Sequence, residues 1–152
     1  MTRRCRITRI NCGMPVEELC DQHLIAEYKE LPRMVAFSHS VKTVPDVDFT
    51  LNTGHMKSCV RYGVYLADRH QELITELRYR GFSPNFPPIS YSAFSARCHY
   101  YPSQAWLTLA SNIVRPRIAS RLTTMKRAPA WTRRFMVLPP QGPIVWTSPS
   151  TC

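Results

Sequence analysis

Apolar residues recur at helical spacing near the start of the chain. Val16, Cys20, Leu24, Tyr28 and Leu31 fall every three or four positions, so they form one stripe that must bury against something. The pattern predicts a first helix over residues 15–37. Pro15 suits the first helical turn, and Glu17 and Glu18 favour the positive end of the helix dipole. Pro32 cannot donate to the carbonyl of Tyr28, so a kink is expected there. The polar positions of this helix divide into two strips. Gln22, Lys29 and Arg33 share one face, and His23, Glu27 and Glu30 lie on a strip beside it.

Residues 38–54 carry no helical period and read as a loop. A second helix is predicted over residues 54–81. Its core face is Met56, Val60, Val64, Ala67, Ile74 and Leu77, widened by Leu66 and Leu73, with Gly81 as the C-terminal cap. Residues 82–101 are a long run of Pro, Ser and aromatics. Loops of that length are usually functional or packed by their own side chains. Cys98 and His99 inside it are adjacent, a spacing that rarely gives nucleophile–base geometry, so they read as structural. A third helix starts at Pro102 and must end before Pro116, with Trp106, Leu109, Ala110 and Ile113 as its stripe. The expected fold class is mainly α, one compact domain of three main helices with long loops. It spans residues 1–135, of which 1–7 form an N-terminal extension. Residues 136–152, Pro-rich and uncharged, read as an irregular tail.

Charge changes the picture. The net charge is +10 over 152 residues, and all ten acidic residues lie between Glu17 and Glu76. Ten Lys/Arg follow Glu76 with no acid among them. So one-sided an excess suits a polyanion, either nucleic acid or an anionic membrane surface. Between Arg115 and Arg134 the cations, Arg117 and Arg121 among them, are interleaved with Trp131. This composition suits phosphate contact plus base stacking. The two strips of the first helix admit a matching reading, in which cations hold phosphates while a carboxylate moves protons. On pattern alone the favoured reading is a solvated face with local ion pairs such as Glu30 with Arg33, because charged helix faces are common.

The six cysteines show no C-x-x-C spacing, which argues against structural zinc. Cys20 and His23 stand at i, i+3 but lack a second ligand pair, so no metal and no cofactor is expected. No apolar run reaches membrane-spanning length, and no apolar region follows the N-terminal arginines as a secretion signal would require. A reducing compartment with free thiols is expected.

Four segments together resemble one known family. They are RITRIN at residues 6–11, ELCDQHLIAEYKELPR at residues 18–33, LNTGH at residues 51–55, and ELI-x-E-L-x-x-RGF ending at Phe82. They are similar to the pyrimidine-dimer DNA glycosylase/AP lyase of phage endonuclease V type, over roughly residues 8–121. The resemblance implies a single domain of three main helices, with the N-terminal segment threaded between two of them. It also implies an unusual nucleophile, the α-amine of an N-terminal Thr exposed by Met removal. By motif the Thr is Thr8 and the essential carboxylate is Glu30, while Arg9, Gln22, His23, Lys29 and Arg33 correspond to positions near DNA.

The chain departs from that pattern in three places. Seven residues precede Thr8, and Met1-Thr2 would itself be a good site for Met removal. The aromatic-rich C-terminal stretch of the family appears here as WTRRF, and nothing from Met136 onward looks like the family. The expected activity is repair of UV-type pyrimidine dimers in duplex DNA by a monomer that does not use a membrane. The setting would be the cytoplasm of a bacterial or phage-infected cell, or the nucleus or mitochondrion of a eukaryote. The alternative is a non-catalytic DNA-binding protein on the same fold, inactive because its N-terminus is displaced.

Overall fold

The computed structural model describes residues 10–51 and 54–131. Thr8, Arg9 and the expected 136–152 tail lie outside them. The chain is a compact, mainly helical domain with helices α1 Asp21–Ser40, α2 His55–Cys59, α3 Gly63–Tyr79 and α4 Gln104–Thr124. Single 3-10 turns occur at Val16–Glu18, Tyr91–Ala93 and Ala96–Cys98. Among the described residues there is no strand, only an antiparallel bridge between Tyr62 and His99. The chain order is helical as the periodicity predicts, but three boundaries moved, each for a local reason.

Residues 15–20 do not join α1. Pro15 leads one 3-10 turn, then Leu19 and Cys20 are extended, and α1 begins at Asp21. The predicted second helix is two. The chain leaves the helix at Val60–Tyr62, where Tyr62 bridges to His99 and the Tyr100 amide donates to the Arg61 carbonyl at 3.4 Å. Gly63 permits this: a Cβ there would lie 2.7 Å from the Cys98 carbonyl oxygen and 2.7 Å from the Phe94 ring. The third helix continues through Pro116 to Thr124. Its buried stripe, Ala110, Val114, Ile118 and Leu122, steps by four across the proline. Pro116 and Asn112, whose carbonyl the proline frees, are both exposed, so water can take that carbonyl.

Pro32 is handled differently because its surroundings are buried. The carbonyl of Tyr28, which loses its helical donor, accepts from His70 Nε2 of α3 at 3.2 Å. His70 is fully buried and its ring stacks on Tyr28, with centroids 5.4 Å apart. Burial pushes the His70 pKa down, which keeps the ring neutral. α3 closes on Gly81 as predicted. Its left-handed φ of 96° lets the amides of Gly81 and Phe82 return to the carbonyls of Arg78 and Leu77 at 3.0 and 2.9 Å.

α1 and α3 form the principal helix pair. Leu24, Leu31 and Met34 of α1 meet Leu66, Leu73 and Ile74 of α3 in the core. The incoming segment runs through this core, with Ile10, Asn11, Cys12 and Met14 all buried. Gly13 has φ +81°, and its amide donates to the Tyr65 hydroxyl at 2.8 Å. A Cβ on Gly13 would collide with the Leu107 carbonyl and sit 2.9 Å from the Ser111 amide, both of α4. The segment is therefore wedged among α1, α3 and α4.

Gly13 and Gly81 share a left-handed backbone, but only Gly13 is also sterically enclosed. Gly81→Ala should cost about 1 kcal/mol of stability from backbone strain alone. Gly13→Ala should cost on the order of 3 kcal/mol, because α4 must shift as well. Denaturant unfolding of both variants checks the order, and equal costs would show that α4 does not confine the segment.

Candidate functional site

The side chains of α1 separate by burial into a clamp inside and a ridge outside. Glu27 falls among the core positions of the helix and is fully buried. It pairs with Arg69 of α3, whose Nη2 donates to Glu27 Oε1 at 3.1 Å and whose Nε donates to Oε2. Arg69 Nη1 donates to the Met14 carbonyl at 2.7 Å, and Asn11 Nδ2 donates to Glu27 Oε1 at 2.9 Å. Burial alone would lower the Arg69 pKa, but Glu27 more than offsets it and holds the guanidinium charged. The buried pair therefore grips the N-terminal segment at two points. Glu27 was expected on an exposed strip with His23 and Glu30; its neighbours Leu24 and Leu31 turn that part of the helix inward instead.

His23 is also buried. Its Nδ1 is hydrogen-bonded to the Cys20 thiol at 3.1 Å. Burial lowers the His23 pKa to about 4, with Arg121 of α4 adding to the effect and Glu27 opposing it. Burial raises the Cys20 thiol to about 11, so thiol and imidazole are both neutral. This arrangement hydrogen-bonds a core histidine and does not activate a nucleophile. It brings together His23 and Arg121, two residues singled out from sequence.

Gln22 faces the chain beyond α4. Its Nε2 donates to the Ala128 carbonyl at 3.0 Å and its Oε1 accepts from the Ala130 amide at 2.9 Å. The Asp21 amide donates to the Ala130 carbonyl at 2.5 Å. Gln22 thus straps residues 128–130 onto the start of α1 and seats Trp131, which is 8% exposed, against the protein. Arg80 holds the same helix end from α3, pairing with Asp21 at 2.8 Å and Glu76 at 2.9 Å.

The outer ridge lies one to two turns along α1. Lys29 and Arg33 are exposed and Glu30 is half-buried between them. Among the described residues no ion pair closes on Glu30, so the expected Glu30–Arg33 pair does not form. Several of the late cations serve structure. Arg97 donates to the carbonyls of Val41 and Lys42 at 2.6 and 3.1 Å, and Arg115 pairs with Glu18 at 2.6 Å. Arg117 and Arg121 are half-buried on α4, while Lys126 and Arg127 are exposed beyond it. Among the described residues no group of three or more His, Cys, Asp or Glu could hold a metal ion, and no helix is long and apolar enough to cross a membrane.

A sequence model described as pyrimidine dimer DNA glycosylase matches residues 7–89. The match takes in the segment, α1, α2 and α3, more than half of the chain. The chain belongs to the pyrimidine dimer DNA glycosylase family. Membership implies a DNA glycosylase that binds damaged DNA, and it agrees with the motifs at residues 6–11, 18–33, 51–55 and 72–82. Sequence reasoning missed Asn11, Tyr65, Arg69 and Arg80 as holding groups. One signal was available: Arg69 and Glu27 each interrupt an apolar stripe, and a charge in such a position demands a buried partner.

The neutral state of His23 makes stability depend on pH. The unfolded chain takes a proton at about 6.5, while the folded chain refuses it until about 4. Stability is therefore complete above pH 6.5 and falls as pH drops toward 4, by about 3 kcal/mol from this group. His55 and His70 are lowered by burial in the same direction. The comparison of wild type with His23→Gln isolates one site: the variant should lose less stability between pH 6.5 and 4. Parallel curves for the two proteins would show that His23 does not resist protonation.

Proposed function

We propose that this chain excises pyrimidine dimers from duplex DNA and cleaves the strand through an amine-linked intermediate. One observation carries the reading: the family match opens at Ile7, directly ahead of Thr8, and also takes in Glu30. An α-amine has a reference pKa of about 8, so a useful fraction is neutral at physiological pH. In the proposed reaction the Thr8 amine attacks sugar C1′, the damaged base departs with the bonding electrons, and ring opening gives an iminium. Loss of a C2′ proton then drives β-elimination of the 3′ phosphate. Glu30 stabilises the cation and moves protons.

Two features support these roles. Asn11 is anchored to Glu27, and three residues of chain reach no more than about 10 Å. Glu30 lies one turn from Glu27, about 5–6 Å away on the helix surface, so the anchored start of the described segment lies near it. Lys29 and Arg33 flank Glu30 and face solvent, where they would hold phosphates on either side of a kinked lesion. Arg117 and Arg121 would extend the cationic surface across α4. Gln22, His23 and Trp131 shape the protein beneath that surface, and Arg9 would stand beside the amine.

The test uses two forms, one starting at Met1 and one whose first residue is Thr8, incubated with abasic or dimer-containing duplex and borohydride. The Thr8-first form should trap more strongly, and mass spectrometry should find the link on the Thr8 nitrogen. A link through Thr2 would move the nucleophile into the leading residues. Absence of any covalent complex from both forms would leave a non-catalytic DNA-binding protein.

Glu30→Gln should retain binding to damaged duplex but lose strand cleavage by at least about a hundredfold, since general acid–base groups contribute on the order of 10² to 10⁴. Normal cleavage by this variant would make Glu30 a surface charge only. Binding should also weaken steeply with salt, each phosphate contact adding about 0.9 to the slope of log K against log salt. Removing Lys29 and Arg33, or Arg117 and Arg121, should flatten the slope. An unchanged slope would show that those cations face away from DNA.

A further inference from the structure

The arginines of the described chain sort by what holds them. Arg69, Arg80 and Arg115 each close on a carboxylate, which cancels their charge locally. Arg97 is held differently. Its Nη2 donates to the Val41 carbonyl at 2.6 Å and its Nη1 to the Lys42 carbonyl at 3.1 Å, just past the end of α1. A carbonyl is neutral, so it fixes the guanidinium without cancelling its charge. Arg97 and Lys42 are both exposed, and among the described residues neither has an ion pair. The turn that carries Arg97 is tied to α1. The Ser95 amide donates to Ser38 Oγ at 3.1 Å, and His39 Nε2 donates to the Ala93 carbonyl at 2.8 Å. The nearest acid along the chain from Lys42, Asp46, is engaged elsewhere, accepting from the Tyr62 hydroxyl at 3.3 Å.

This fixed cation stands in line with the ridge already described. Lys29, Arg33, Ala36 and Ser40 share the outward face of α1, and all four are exposed. Past Arg33 that face carries only small, uncharged side chains, so nothing bulky or acidic separates the ridge from Lys42 and Arg97. At about 1.5 Å per residue, Lys29 and Ser40 are about 17 Å apart. Along a duplex that is roughly five base pairs, at about 3.4 Å each. We infer that Lys42 and Arg97 form a second phosphate-binding station, which holds duplex flanking the lesion at the far end of α1. The inference rests on the Lys29–Arg33 ridge facing DNA, and not on the amine chemistry. A guanidinium already pinned by backbone loses little freedom on meeting a phosphate, and its remaining N–H groups match the phosphate oxygens. Two stations on one rigid helix set the direction in which the duplex crosses Glu30.

The experiment measures the affinity of the full chain for abasic duplex across a salt series. One duplex has long flanks on both sides of the lesion. Two others each have one flank trimmed below the span between the stations. On the long duplex, Lys42→Ala and Arg97→Ala should each lower the slope of log K against log salt by about 0.9. On one of the two trimmed duplexes the difference from wild type should vanish, because the phosphates these residues hold are gone. Thermal unfolding is read beside affinity, since Arg97→Ala also removes two hydrogen bonds. If that variant does not fold, Lys42→Ala decides, because it leaves Arg97 and both carbonyls in place. Unchanged slopes on the long duplex overturn the proposal. Equal losses on all three duplexes also overturn it, because they report long-range charge and no local contact. Failure of the underlying reading looks different: Lys29→Ala and Arg33→Ala would then leave the salt dependence unchanged as well.

Discussion

The buried pair between Glu27 and Arg69 is the constraint on which the rest of this structure depends. Taking two charges out of water carries a desolvation penalty of several kcal/mol per ion, and only close geometry with every remaining hydrogen bond made offsets it. Here the remaining bonds come from the N-terminal segment. Arg69 spends one arm on the Met14 carbonyl, and Glu27 receives Asn11. Each charge completes its remaining hydrogen bonding on the segment, which Tyr65 also holds through the Gly13 amide. Removing one partner would strand the other charge in the core, a loss of about 3–5 kcal/mol in comparable pairs. The helix pair and the chain entering it are consequently one cooperative unit.

The same reasoning accounts for the histidines. His23, His55 and His70 all have pKa values lowered by burial, so the interior of a strongly basic protein holds little unpaired positive charge. His70 is placed where Pro32 breaks the helical ladder, and its N–H replaces the missing donor. His23 shares a hydrogen bond with the Cys20 thiol. Pro116 needs no such partner because its side of α4 is exposed. Equivalent breaks in two helices are thus resolved by a side chain in one case and by solvent in the other, according to depth.

α1 therefore has two jobs on two faces. Inward, it supplies Glu27 and the apolar residues that fix the segment. Outward, it presents Lys29, Glu30 and Arg33 to solvent with no ion pair to Glu30 among the described residues. Under the reading proposed above, cations that hold phosphates and a group that moves protons would shift as one rigid body with the anchored chain. At the start of α1, Gln22 and Arg80 tie the helix to residues 128–130 and to α3, which stiffens its end.

Periodicity alone determined that this chain is helical, where the stripe of α1 and most of that of α3 lie, and that Gly81 ends α3, but it put the exposed Leu109 on the core face of α4. These are local matters, fixed by side-chain spacing and by the backbone freedom of one glycine. The motifs at residues 18–33 and 72–82 pointed to the family for the same reason, since they are contiguous in sequence. Tertiary structure decided the rest. Periodicity could not separate a charge that faces water from one that faces an opposite charge, because Glu27 and Glu30 stand three residues apart on one helix. Only the arrival of Arg69 from 42 residues away distinguishes them. Local rules likewise ended the third helix at Pro116, whereas its buried stripe continues because the core it packs on continues. The hold of Asn11 on Glu27 was invisible for a related reason: the two are 16 residues apart and meet only in the folded chain.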